Sequence, residues 1–277
     1  ISPDLDKWLG EKLDIDQKLL IVSEQGLGDT IQFMRYIPYL RDIGYKIDFV
    51  VDKKLHSLIK HSEIIKNPLL KNEVHDFSQY KWVPLMSLGK ILKIDPLKSL
   101  SNNTYIKTNS EIDLKWRNIL DKENKPIIGI NWQGNEKIEK GAFKGRSLPL
   151  ETFSHIVQKN DINFISLQKG FGTEQMEKCS FKEKFIDSQY QIDKIMDFLE
   201  LASIMKYCSL IITSDTCVAH LAGGLGLKTW LLLKKVPDWR WGITKNNTFW
   251  YPSIRIFRQR YEGNWNEVLL RVSEELE

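Results

Sequence analysis

The chain has 277 residues, 42% hydrophobic and 27% charged, enough apolar sequence for one large core or two ordinary domains. Its 40 basic and 36 acidic residues leave a net charge of +4, mixed along the chain, which speaks against a nucleic-acid surface and suits a small anionic ligand. No apolar run reaches membrane-spanning length, no secretory pattern opens the chain, and Cys179, Cys208 and Cys217 lack metal-like spacing, so a reducing, cytoplasmic setting is expected.

Residues 1–17 read as a solvated, charged leader with Trp8 as its one large apolar anchor. The pairs Asp4-Leu5-Asp6 and Asp14-Ile15-Asp16 follow no buried strand and are read as solvated charges rather than metal ligands. The sequence begins at Ile1 without a methionine, and an upstream region is expected.

Residues 19–24 predict a strand running into the glycine turn Gln25-Gly26-Leu27-Gly28-Asp29-Thr30. A helix over 30–41 follows, with Pro38 expected to kink it and Gly44 just past its end. A strand at 46–51, a helix at 55–65, strand and loop around Trp82 and a helix at 116–120 complete this half. A second alternation then opens with a strand at 127–132, turning at Trp132-Gln133-Gly134-Asn135 into a polar, basic loop. Pro149 starts a helix to about residue 159, and a strand at 162–168 and a helix at 194–207 follow. A strand at 228–233 and a terminal amphipathic helix from Trp265 end the chain.

Between these, Ser209 to Thr213 is a short β-branched run that reads as a buried strand. Ser214 and Asp215 are expected to cap the helix from Thr216 to residue 225. A helix N-terminus after a strand offers free amides and a positive dipole end to a phosphate. Thr216 and His220 are four apart and face one way, so hydroxyl, imidazole and amides are expected to converge on one anion-sized spot. The plainer reading is a capped core helix, but the small Ala222-Gly223-Gly224 run, which admits close approach, favours a site.

Strand–helix alternation with short connections implies parallel sheets. Two such series give two Rossmann-like domains, 1–124 and 125–277, with ligands in the cleft at the carboxyl ends of the strands. Within that cleft Asp29 reads equally as a helix cap or as a general base at a glycine turn formed by Gly26 and Gly28. His56, His61, His75 and His155 have no partner pattern and read as structural or surface residues.

Several separate stretches resemble one family. They are Glu24 to Phe33 with Arg35-Tyr36, Asn131 to Asn135 followed by Arg146-Ser147-Leu148-Pro149-Leu150, Ser166 to Gly170, Asp215 to Gly223, Pro237 to Trp241, and Trp250 to Gln259. Together they resemble the glycosyltransferase-like domain at the C-terminus of bacterial tetratricopeptide-repeat proteins. That domain is similar to the lipopolysaccharide heptosyltransferases of glycosyltransferase family 9 and, more distantly, to the O-GlcNAc transferases.

The resemblance implies the GT-B fold, two Rossmann-like domains facing each other across a cleft. It also implies metal-independent, inverting transfer of a sugar from a nucleotide-diphosphate donor to a glycan or protein hydroxyl, with no cofactor beyond the donor. It places Asp29 as the base. It implies a helical-repeat region upstream and a terminal helix that crosses back onto the first domain.

A departing diphosphate without a metal needs a helix N-terminus and cations. Asp215, Thr216, the Cys217 amide and His220 supply the first; Lys169, then Arg146 beside Gly134, supply the second, and Gln168 is placed to read base or ribose. Trp132, Asp238 and Arg240 rank behind them as lining of the cleft. Trp239, Trp241, Trp250 and Tyr251 fit ring stacking or packing between domains. Cys217 departs from the glycine that heptosyltransferases usually have there.

Two rival classes remain. One is a non-catalytic module binding a sugar nucleotide or glycan. The other is an NAD(P)-dependent oxidoreductase, suggested by Gly26-Leu27-Gly28 after a strand and Asp52 at the end of the next.

Overall fold

The computed structural model describes residues 5–74, 76–94, 104–141, 144–157 and 161–276. Leu19, Leu20 and Ile21 make β1 (Lys18–Val22) an apolar run, as a strand covered on both faces requires. It is followed by α1 (Leu27–Phe33), α2 (Tyr36–Asp42), β2 (Ile47–Val50), α3 (His56–His61), β3 (Tyr80–Pro84), α4 (Leu88–Ile91) and α5 (Ser110–Leu120). The three strands are parallel in the order β2-β1-β3. The leader is less solvated than its charge suggests. The Trp8 amide donates to the Trp82 carbonyl (2.8 Å) and the Trp82 amide to Asp6 (3.0 Å), extending the sheet past β3 with Trp8 fully buried.

The single helix expected over 30–41 is two helices. Pro38 has no N–H for the carbonyl of Met34 and its ring crowds that position. The chain breaks there, and the Ile37 amide donates to Met34 instead. Helix α5 starts earlier than expected because the Asn109 side chain caps it, accepting from the amides of Glu111 and Ile112.

The second series runs β4 (Ile127–Asn131), α6 (Ser154–Val157), β5 (Asn163–Ser166), α7 (Gln189–Asp193), α8 (Phe198–Met205), β6 (Leu210–Ser214), α9 (Cys217–Leu225), β7 (Thr229–Leu233), β8 (Ile254–Arg258) and α10 (Trp265–Glu274). Its sheet is parallel throughout, in the order β5-β4-β6-β7-β8. The helix expected from Pro149 is a 3-10 turn, Leu150–Phe153, leading into α6, and the end expected at residues 158–159 lies outside the described residues.

One apolar cluster joins the two sheets, with Phe33, Ile37, Ala219, Trp250 and Tyr251 among its members. A second covers the other face of the five-stranded sheet and holds Trp265, Val268, Leu269 and Val272 against Phe153 and Ile156. Helix α10 therefore packs on α6 rather than crossing back to the first sheet, because its apolar stripe finds its partners there. Among the described residues no helix is long and apolar enough to cross a membrane.

Candidate active site

Strand β1 is the middle strand of its sheet and β6 the middle strand of the other. The helix leaving each one, α1 and α9, packs against the other. Gly28 is the contact point. A β-carbon there would stand 3.3 Å from Cα of Cys217 and 2.9 Å from Cδ2 of His220. The glycine of the turn thus admits a neighbouring helix rather than a substrate, which corrects the role expected of Gly28. It also removes the close pyrophosphate approach on which the dinucleotide reading depended. Asp52, the other element of that reading, caps the turn at Lys53–Leu55 by accepting from the Lys54 amide.

Asp29 lies in the first turn of α1. One carboxylate oxygen accepts from the Gly26 amide (3.1 Å), and the other accepts from Nη2 of Arg240 (2.6 Å). The cap and the charged site are therefore the same residue. Arg240 sits in the 3-10 turn Trp239–Trp241, which Asp238 caps by accepting from the Arg240 amide (3.1 Å). Its Nε donates to Asp238 Oδ1 (2.8 Å) and its Nη1 to Gln32 Oε1 (2.7 Å). Burial opposes the guanidinium charge, but Asp29 and Asp238 outweigh it and raise the pKa.

His220 is 3% exposed. Its Nδ1 faces the Tyr251 hydroxyl at 2.9 Å, Nε2 lies 3.5 Å from Arg240, and its ring stacks on Trp241. Burial, then Arg240 and Arg35, hold the imidazole well below its usual pKa, so it is neutral. The Thr216 hydroxyl turns elsewhere. It donates to Asn131 Oδ1 (2.8 Å) and caps α9 by accepting from the Val218 amide (3.3 Å). The expected convergence of the two side chains on one spot does not occur, and the cap is Thr216 rather than Ser214 or Asp215. The first residue of α9 is Cys217, packed beside Gly28, and burial pushes its thiol up to about 11.

Arg146 reaches this end of β6, donating from Nη1 to the Asp215 carbonyl (3.3 Å). Gly134 makes room for it, since a β-carbon would lie 2.6 Å from Nη2. Burial raises the Asp215 carboxyl pKa against the opposing pull of Trp241 and Arg240. Lys169, expected as the first cation, is engaged within the protein: its ammonium donates to the Ile192 carbonyl, and burial lowers its pKa against the pull of Asp193.

Gln168 is 2% exposed and saturated by protein. Its oxygen accepts from Asn131 Nδ2 and the amides of Trp132 and Gln133, while its nitrogen donates to the carbonyls of Gln133 and Phe171. It ties two strand-end loops together and has nothing left for a base or ribose. Trp132 is likewise internal, donating to the Gly172 carbonyl. The Ala222-Gly223-Gly224 run does admit close approach, but by the Tyr251 ring and Ile106, each 2.4 Å from a β-carbon on Gly223 or Gly224.

Trp241, Trp250 and Tyr251 are buried, whereas Trp239 is exposed. The ring nitrogens of His56 and His61 meet the carbonyls of Val51 and Thr108, and that of His155 faces Asn266; His75 and Asp4 lie outside the described residues. Two site neighbours went unassigned in the sequence. Gln32 follows Asp29 by three on one helix face, a spacing that signals shared partners. Glu24 accepts from the Met86 amide, and burial raises its carboxyl pKa. Among the described residues no three His, Cys, Asp or Glu side chains group as metal ligands. A cavity of about 410 Å³ lies elsewhere, between β8 and α10, lined by Arg255, Arg260 and Arg271 among others.

No family model matches the sequence, and no curated protein matches it. Solved structures do match its shape. A glycosyl transferase family 9 structure from Veillonella parvula superposes with a TM-score of 0.64 over 97% of this chain and 97% of its own, at 13% identity. E. coli ADP-heptose lipopolysaccharide heptosyltransferase II superposes at 0.58 over 94% of this chain and 97% of its own, at 11% identity. E. coli heptosyltransferase WaaC with ADP gives 0.58 over 94% and 99%, at 11% identity. The chain therefore has the two-sheet α/β fold of these GT-B glycosyltransferases.

Proposed function

We propose that this chain is a glycosyltransferase that moves a sugar from a nucleotide-diphosphate donor to the hydroxyl of a glycan or protein acceptor. The observation that carries the reading is that Gly28, the neighbour of Asp29 on α1, packs on the N-terminal end of α9 where the two middle-strand helices meet. That arrangement stands within a fold shared along almost the whole chain with heptosyltransferases. In this reading the acceptor oxygen attacks the anomeric carbon from the face opposite the leaving group and inverts it. The hydroxyl proton passes to the Asp29 carboxylate as the new bond forms. The bond to the phosphate oxygen breaks, and the nucleoside diphosphate leaves with the electron pair. Its charge meets the amide dipole of α9 and Arg146, with no metal required.

The resemblance further suggests an upstream helical-repeat region, and the three cysteines without metal-like spacing suit a cytoplasmic setting. A thermal-shift screen of nucleoside diphosphates and nucleotide sugars, with and without EDTA, tests the donor half of the reading. A ligand at 100 times its Kd stabilises the fold by about 2.7 kcal/mol, and the shift is expected to survive EDTA. Silence across the panel would remove the donor assignment, and loss of the shift with EDTA would remove metal independence.

One observation favours a second reading, a non-catalytic sugar-nucleotide or glycan-binding module. Both Asp29 oxygens already accept hydrogen bonds within the protein. Donor binding without release of the nucleoside diphosphate would select it.

A further inference from the structure

The Arg240 guanidinium is held on three sides by acceptors from two separate parts of the chain. Asp29 and Gln32 lie one turn apart on α1 and present their oxygens to its two terminal nitrogens, at 2.6 and 2.7 Å. Asp238, from the 3-10 turn, takes Nε at 2.8 Å. Gln32 is fully buried and Arg240 is 9% exposed. The Asp29 side chain keeps 22% of its surface open. Its second oxygen is fixed from behind by the Gly26 amide.

We propose that Arg240 and Gln32 are positioning residues for Asp29. They hold its carboxylate at one angle, so that its open face meets the acceptor hydroxyl. This rests on the reading of Asp29 as the base. A planar guanidinium can fill all three positions at once, whereas a lysine ammonium is a point charge that cannot reproduce the fork. Gln32 sets the rotation of that plane, because its oxygen fixes the nitrogen next to the one bonded to Asp29. The base is thereby built across the two sheets, with its carboxylate on α1 and its orientation supplied from the connection between β7 and β8.

The test compares Arg240→Lys, Gln32→Leu and Arg240→Ala with the wild-type chain. The activity readout is release of nucleoside diphosphate from whichever nucleotide sugar the wild-type chain turns over, with water or a glycan as acceptor. An ångström of misplacement costs up to about 100-fold, so kcat is expected to fall about 10- to 100-fold. The donor KM and the thermal shift given by the free nucleoside diphosphate are expected to stay as in wild type. Guanidinium chloride at tens of millimolar is expected to restore part of the Arg240→Ala turnover. Unchanged kcat in all three variants would overturn the proposal. So would a parallel loss of kcat and nucleotide response, which marks a merely structural role. A crystal structure of Arg240→Ala separates this from the functional reading. An Asp29 carboxylate found in its wild-type place overturns positioning whatever the turnover, and a displaced one supports it. A wild-type chain that turns over no donor retires the functional reading alone.

Discussion

Gly28 lies so close to His220 that a β-carbon would stand 2.9 Å from the imidazole Cδ2. The ring cannot swing aside, because Tyr251, Trp241 and Arg240 hold it on its other sides. The second contact, with Cα of Cys217 at 3.3 Å, is backbone. Gly28→Ala is therefore expected to destabilise the protein by about 1–3 kcal/mol through overpacking, despite the roughly 0.5–1 kcal/mol that alanine gains over glycine within a helix. Urea midpoints measure it. An unchanged or raised midpoint would show that α1 and α9 do not meet as described.

The neutral state of His220 gives a pH dependence of known sign. Its folded pKa is depressed by burial, then by Arg240 and Arg35. Below the ordinary value of about 6.5 the unfolded chain takes a proton that the folded chain refuses. Stability present above that pH is lost as pH falls, by about 1.4 kcal/mol per unit from this group. His220→Gln lacks this contribution. Its stability deficit relative to wild type is expected to shrink between about pH 7 and pH 5. A deficit that is constant or grows on acidification would contradict a buried neutral imidazole.

Gln168 was read in the sequence as a nucleotide contact, and the structure makes it a strand-end tie. Gln168→Ala removes partners from the Asn131 side chain and from the amides of Trp132 and Gln133. Groups left unpaired in a buried place cost about 1–3 kcal/mol each, less where water enters. A loss of about 2–4 kcal/mol in denaturant unfolding is expected, with the ranking of nucleotides in a thermal-shift panel unchanged. A changed ranking at near-wild-type stability would restore the original role.

The fold was legible where apolar runs and turn residues agreed. The strands at Leu19, Ile127 and Leu210 and the helix after Thr216 lie close to where their sequence placed them. Strand β8 was missed because two arginines, Arg255 inside it and Arg258 at its end, disguise a short edge strand with three buried apolar residues. The break before α2 needed more than the presence of Pro38: the proline's effect falls on the carbonyl four residues earlier. At the site, the sequence reading singled out Asp29, Arg146 and Arg240 but not the groups they touch. Thr216 and His220 are four apart, but Thr216 is the extended cap residue before α9, and Asn131 draws its side chain while Tyr251 draws that of His220. Such long-range partners leave no periodic trace. The small Gly223-Gly224 pair was read correctly as a place of close approach and wrongly as one for a ligand.

On the proposed function, the Asp29 carboxylate takes the acceptor proton while the diphosphate is held at the N-terminal end of α9. Asn in its place keeps one acceptor oxygen, enough for Arg240 or the Gly26 amide but not for both, and has little basicity. The direct measurement is nucleoside diphosphate release by Asp29→Asn beside its nucleotide affinity by calorimetry. The expected outcome is affinity close to wild type and turnover lower by about 100- to 10,000-fold, the range for a general base. Turnover at the wild-type rate with affinity intact would contradict it.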